Sequence, residues 1–388
     1  MLTNLRIKNF RMLEDLEIPK LGRVNLIVGK NNSGKSTILE ALRIYAGKAH
    51  PELLGNIIID HDESFKLDQE DRPTDTNTLY GLKNLFPGRV FPTDDNNFIQ
   101  IESNSNLVKI EYVFYYMEEF VTKSEDGLTT ETTQRKVVVK KSNLSNNDKK
   151  FPAIPAIRIG RNTLIELNVD PKLSSLHPHL FWNIDNRETL KFSLVSTNFI
   201  TPEKLAQLWD KIAASSSEEI VYRALQIVDP TIEKLAFING NTDSSLQNEK
   251  NFRRIAIVKL KNSEIRAPLN SMGDGMTRIL QLILSVFPAK DGILLIDEFE
   301  NGLHYSVQEE VWRIIFQLAK ELNIQVFATT HSWDCIESFT KAAVESPEEG
   351  VLLKVSRSKL TSDHGKVIAT VYDETELETI TASELEIR

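Results

Sequence analysis

The sequence predicts an α/β fold with mixed sheets, and three observations carry that expectation. Val24–Val28, Ile293–Ile296 and Ile324–Ala328 are short apolar runs, and Ile293–Ile296 is continuous, the pattern of a strand covered on both faces. Each run ends in polar residues, and open α/β sheets place their ligands at such strand ends. Helical periodicity follows each one, from Ser36 to about Ala46, from His304 to about Lys320, and from Ser332 onward.

The first of these units fixes the chemistry. Gly29-Lys30-Asn31-Asn32-Ser33-Gly34-Lys35-Ser36-Thr37 matches the phosphate-binding loop G-x-x-x-x-G-K-[ST] in full, between a strand and a helix as the motif requires. Backbone amides from Gly29 through Thr37, including those of Asn31, Asn32, Ser33 and Gly34, then point at phosphate oxygens. Lys35 reaches the β- and γ-phosphates, and the Ser36 hydroxyl helps to hold Mg²⁺. The chain is expected to bind a nucleoside triphosphate.

Length and composition set the frame. At 388 residues the chain holds either two or three average domains or one nucleotide-binding domain with large insertions. With 41% hydrophobic and 26% charged residues it has an ordinary globular composition. No apolar run approaches the ~20 residues of a membrane span, and Met1–Arg6 carries no targeting signature, so the chain reads as cytoplasmic and independent of membranes. The single Cys335 excludes an intrachain disulfide and a cysteine-based zinc site. The net charge of -9 does not advertise nucleic-acid binding, yet residues 134–161 gather Arg135, Lys136, Lys140, Lys141, Lys149, Lys150, Arg158 and Arg161 against Asp148 alone. That stretch is either a solvated basic loop or a surface for DNA or another partner. The acidic run from Asp60 to Asp75 lacks the spacing and the glycine of a calcium loop.

Along the chain, Leu5, Ile7 and Phe10, then Leu16 and Ile18, alternate as short strands before the turn at Pro19–Arg23. Residues 47–100, rich in Asp, Asn, Pro and Gly, read as an irregular insertion. Leu107–Met117 and Val137–Val139 read as strands, and residues 141–190 have no clear period. From Pro202, capped by Thr201, to about Ala236 the apolar spacing is helical. Strands return at Ile255–Leu260 and near Ile265, and later near Val351–Val355 and Val367–Val371.

The second half of the site follows. Ile293–Ile296 delivers Asp297, suited to supporting Mg²⁺, and Glu298, suited to orienting and deprotonating an attacking water. Lys35 and Asp297 are separated by most of the chain, too far for a small GTPase, and no Asn-Lys-x-Asp guanine-reading motif occurs. A polar turn, Ser271-Met272-Gly273-Asp274-Gly275, opens a helix through Met276 and Val286 and offers a second anion-binding surface. Thr329-Thr330-His331-Ser332 emerges beside the acid pair.

With these motifs in place, the sequence resembles the ABC-type ATPases of the SMC/RecF/Rad50 and OLD-like group, most closely the RecF-like AAA15/AAA21-type proteins. The resemblance covers residues 1–46 and roughly 250–340. It implies a P-loop NTPase head divided as residues 1–46, an insertion over 47–250 with strands, the basic segment and a helical subdomain, and a C-terminal part over 251–388. By position, Ser271 and Gly273 resemble signature residues that contact the γ-phosphate held by a second head. Asp297 and Glu298 resemble the Walker B pair, Asn301–Leu303 the D-loop and His331 the switch histidine. Arg6 and Arg11 resemble basic residues near the nucleotide, and Gln100 is the candidate for the glutamine loop. The signature departs from L-S-G-G-Q, with Asn270, Met272 and Asp274 at three of its positions. His304 is expected as a packing residue at a helix start, Cys335 as buried packing, and Trp333 against either the sheet or a partner.

The resemblance implies Mg²⁺-dependent ATP hydrolysis coupled to dimerisation of two heads. No long heptad arm occurs, and the stretch after Ser338 is too short for a metal-dependent nuclease domain. Two functional readings stay open. One is a DNA-linked motor or switch in anti-phage defence or genome maintenance, acting with a separate effector. The other is an ATP-gated protein-interaction module that regulates an effector nuclease or toxin without touching DNA.

Overall fold

The computed structural model describes residues 1–63, 66–67, 73–74, 78–123, 130–139, 153–160, 163–167, 189–240, 253–262, 266–346, 349–363, 365–373 and 376–377. Strands β1 (Leu5–Phe10) and β2 (Leu13–Ile18) form an antiparallel hairpin, and β3 (Val24–Val28) runs through the glycine loop into helix α1 (Lys35–Ala46). Helix α2 (Pro51–Asp60) follows, then a small ribbon of β4 (Lys66–Leu67) and β5 (Pro73–Thr74). Next come β6 (Ile99–Ser103), β7 (Asn106–Lys123), β8 (Thr130–Val139), β9 (Ile154–Ile159) and β10 (Thr163–Glu166). Among the described residues these join the first hairpin in an antiparallel sheet ordered β10-β9-β7-β6-β1-β2, with β8 paired to β7.

After β11 (Phe192–Val195) the chain forms helices α3 (Pro202–Asp210) and α4 (Glu218–Gln226). A three-stranded antiparallel sheet of β12 (Ile232–Gly240), β13 (Arg253–Leu260) and β14 (Arg266–Pro268) comes next. The remainder alternates: α5 (Asp274–Val286), β15 (Ile293–Ile296), α6 (Tyr305–Glu321), β16 (Gln325–Thr330), α7 (Trp333–Val344), then β17 (Gly350–Arg357) and β18 (Val367–Tyr372). The central sheet has the order β11-β15-β16-β3-β17-β18, with every pairing parallel except the last.

The apolar runs are explained by two cores, one on each face of this sheet. Leu26, Val28, Leu294, Ile296, Val326 and Ala328 face α5, α6 and α7. Ile27, Ile293, Leu295, Phe327 and Leu353 face α1 and the antiparallel sheet. Each fully buried aliphatic side chain contributes about 1.5–3 kcal/mol, so the sheet is held from both sides. All the catalytic candidates on β3, β15 and β16 lie at their C-terminal ends, brought together by parallel pairing.

Two expectations change. Residues 47–100 are not irregular throughout: Leu54, Ile57 and Ile58 are buried on α2, whose first position is Pro51. The helical segment from Pro202 stops at Gln226, and residues 232–236 belong to β12, where Ile232 and Leu235 enter the core. Thr201 does cap α3, its side chain accepting the Lys204 amide. The strand expected near Ile265 is β14, while residue 265 itself, like most of 141–190, lies outside the described residues.

Candidate functional site

The loop after β3 is shaped by what surrounds it. A β-carbon at Gly29 would lie 2.2 Å from the Val355 carbonyl oxygen and 2.7 Å from Ser33 Oγ, so the loop passes β17 at a distance open to glycine alone. Asn31 and Asn32 are exposed, whereas Ser33, Gly34 and Lys35 are buried. Lys35 Nζ donates to the carbonyls of Gly29 at 2.7 Å and Lys30 at 3.0 Å. Burial pushes the Lys35 ammonium below its usual value, opposed by the nearby charges of Glu298, Asp297 and Glu300. The Ser33 hydroxyl is buried with no partner, an orphan that an incoming phosphate oxygen would satisfy.

Ser36 opens α1 with an exposed side chain, and its Oγ donates to Asp297, 3.1 Å from Oδ1 and 3.4 Å from Oδ2. Thr37 is half-buried behind it. A hydroxyl and a carboxylate at this separation supply the hard oxygen ligands that Mg²⁺ takes alongside phosphate and water; the donor set fits that ion.

The acid pair is held by groups the sequence reading missed. Thr329 Oγ1, at the end of β16, donates to Asp297 Oδ1 at 2.6 Å and accepts the Glu298 amide at 2.8 Å. Glu298 itself has φ 49, a left-handed backbone costly for a residue with a side chain. From the other side, Arg278 of α5 donates to the Asp297 and Glu298 carbonyls. His331 is half-exposed, and both its amide and its Nδ1 lie 3.0 Å from Glu300 Oε1. Its Nδ1 is 4.0 Å from Glu298 Oε1. The one signal for Arg278 was a charge amid an apolar helical pattern; Thr329 gave none beyond its place at a strand end, and Glu300 none beyond its place in the turn after Glu298.

Ser271 and Gly273 lie on an exposed turn that leads into α5. Ser271 Oγ donates to the Pro268 carbonyl at 2.6 Å. Gly273 has φ 99 and ψ 159, reserved for glycine, and open space where a β-carbon would sit. At the other end of the turn, a β-carbon at Gly275 would lie 3.1 Å from the Gly302 carbonyl oxygen. Asn301 Nδ2 donates to the Thr197 carbonyl at 2.7 Å.

Other candidates land elsewhere. Arg6 pairs with Asp15 at 3.1 Å, and Arg11 is engaged by Glu40 and Glu63, each at 2.7 Å, so both are occupied by carboxylates. Gln100 sits within β6, its Nε2 donating to Glu102 at 2.9 Å, in the antiparallel sheet rather than at a parallel strand end. The segment that does reach the acid pair is Ser196–Asn198, after β11, because β11 runs parallel to β15. His304 is exposed and caps α6 rather than packing at its start. Cys335 is fully buried, and burial pushes its thiol up. Trp333 packs against the core of the helical face.

A strand-loop-helix cradle facing an acid pair and a histidine across a parallel sheet defines a P-loop ATPase. The chain belongs to the AAA_21 family, described as "AAA domain, putative AbiEii toxin, Type IV TA system", which matches residues 24–334. It is 27% identical over 361 residues to an ATP/GTP phosphatase of Helicobacter pylori, covering 87% of each chain. It is 23% identical over 350 residues to the OLD nuclease of Thermus scotoductus, spanning 86% of this chain and 59% of that one. Among solved structures, an SMC head bound to the C-winged helix domain of ScpA aligns over 98% of this chain and 99% of its own, at 13% identity and TM-score 0.47. The protein is an ATPase of the AAA_21 family. Among the described residues no helix is long and apolar enough to cross a membrane.

Proposed function

We propose that the chain hydrolyses ATP with Mg²⁺ while two copies close on each other, and that this cycle works as a DNA-linked switch. The observation that carries the reading is the 3.1 Å approach of Ser36 to Asp297, with Lys35 in the loop and Glu298 and His331 on adjacent strand ends. Ser36 and Asp297 would hold the ion, which when bound offsets charge on the phosphates. Lys35, released from its two carbonyls, would take phosphate oxygens instead. Glu298 would orient the attacking water, and His331, fixed through Glu300, would face the γ-phosphate.

The exposed Ser271–Gly275 turn suits a contact on nucleotide held by a second copy. The test is the light-scattering mass of Glu298→Gln with and without ATP and Mg²⁺. This substitution keeps the loop and slows hydrolysis, so ATP is expected to convert monomers into stable dimers. A mass that stays monomeric while ATP binding is confirmed would remove the paired-head mechanism.

A second reading has its own observation. Of the basic stretch, Lys136 is paired with Glu166 at 2.7 Å and Arg158 with Glu111 at 2.8 Å, which leaves those cations less free for phosphate. This favours the ATP-gated protein-interaction module, with an effector nuclease or toxin as target in place of DNA.

A further inference from the structure

Helix α5 carries a cation on its buried face. Arg278 is 0% exposed, and all three of its acceptors are main-chain carbonyls. Its Nη1 donates to Ser196 at 2.7 Å, and its Nη2 donates to Asp297 at 3.1 Å and Glu298 at 3.0 Å. Burial pushes the guanidinium down to about 10, against the pull of Glu300, Asp297 and Glu298, so it remains a protonated donor at neutral pH. An apolar side chain would fill this place on an apolar helix without the desolvation cost. The rigid planar fork does something an apolar group cannot: it touches two separate segments at once.

Those segments matter for hydrolysis. The Ser196–Asn198 loop lines a cleft of about 460 Å³ together with Ser36 and Asp297. Its three successive carbonyls are all taken by side chains: Ser196 by Arg278, Thr197 by Asn301 at 2.7 Å, and Asn198 by Gln281 at 3.2 Å. Arg278 and Gln281 belong to α5, which the Ser271–Gly275 turn leads into. The left-handed backbone of Glu298 is clamped between Thr329 at its amide and Arg278 at its carbonyl.

We propose that Arg278 is a positioning residue for hydrolysis, tying the Glu298 backbone and the Ser196–Asn198 loop to α5 so that docking at the Ser271–Gly275 turn sets the water-orienting carboxylate. The role rests on the reading of Glu298 given above. Docking of a second copy at the turn would shift α5 as a body, and the guanidinium would carry that shift to the acid pair. Lysine keeps the charge but not the fork, so Arg278→Lys separates geometry from electrostatics.

The experiment compares the full-length wild type, Arg278→Lys and Gln281→Met by ATP turnover, binding of a fluorescent ATP analogue, and hydrogen exchange of the 192–201 peptide. Arg278→Lys is expected to bind the analogue within about twofold of wild type, while kcat falls on the order of tenfold at unchanged KM. Exchange at 196–198 should rise with the loop at 29–37 unaffected. Gln281→Met, which holds one carbonyl of the same loop, should show the same split to a smaller degree. Full kcat in a folded Arg278→Lys protein overturns the proposal, as does a parallel loss of kcat and nucleotide affinity, which a merely structural arginine predicts. Should Arg278→Lys fail to fold, unchanged kcat and exchange in Gln281→Met overturn it alone. A wild type that binds ATP without turning it over removes the proposed function, and this role with it.

Discussion

Thr329 places one hydroxyl between two demands, donating to Asp297 and receiving the amide of Glu298. Thr329→Val keeps the shape and removes both bonds. The Glu298 amide then has no acceptor in a strained backbone, which costs about 1–3 kcal/mol. The urea midpoint should fall accordingly, and kcat should drop with ATP binding retained, read by turnover and analogue titration. Glu300 acts similarly on His331, spending Oε1 on two donors while its buried Oε2 has no partner. Asp297 and Glu298 were legible in the sequence because an apolar run leads straight into them. Thr329, Glu300 and Arg278 were not, since their meaning depends on partners on other strands and helices that no local pattern names.

The elements around the loop show where periodicity succeeds and fails. β3, β15 and β16 announced themselves as short apolar runs, whereas α2 was hidden in a segment whose overall composition is polar. That helix is tied back to α1 by charge: His61, its C-cap, contacts Glu40, and Glu40 also meets Arg11. The bond to Glu40 raises the His61 pKa above 6.5 despite partial burial. A raised folded value means that the contribution is complete below the unfolded value of about 6.5. It disappears as pH climbs through the higher folded value. His61→Gln should therefore lower Tm relative to wild type in mild acid, and the two curves should converge at alkaline pH. Parallel curves across that range would show that the pair does not stabilise the fold. The helical insertion was legible only to Gln226, because Ile232 and Leu235 continue an apolar spacing that suits strand or helix equally.

At the scale of the molecule, two sheets meet through β2 and β18, and charge is spread over both signs, with a net -9. Binding to DNA would then rest on the local basic stretch. Reversing Lys140, Lys141, Lys149 and Lys150 to Glu should abolish DNA-stimulated ATP turnover if that stretch is the contact surface. Stimulation that persists, or never occurs in wild type, would direct attention to a protein partner. The central sheet has a further implication, this time for biosynthesis. β3 leaves the ribosome early, yet both strands that flank it, β16 and β17, come from the last quarter of the chain. The wall that forces Gly29 into its shape is the Val355 carbonyl, made later still. At ~5–20 residues per second, the nascent loop waits on the order of tens of seconds for its neighbours. Until they arrive the loop has no rigid cradle, so a nascent chain that has not yet reached Val355 is not expected to engage ATP.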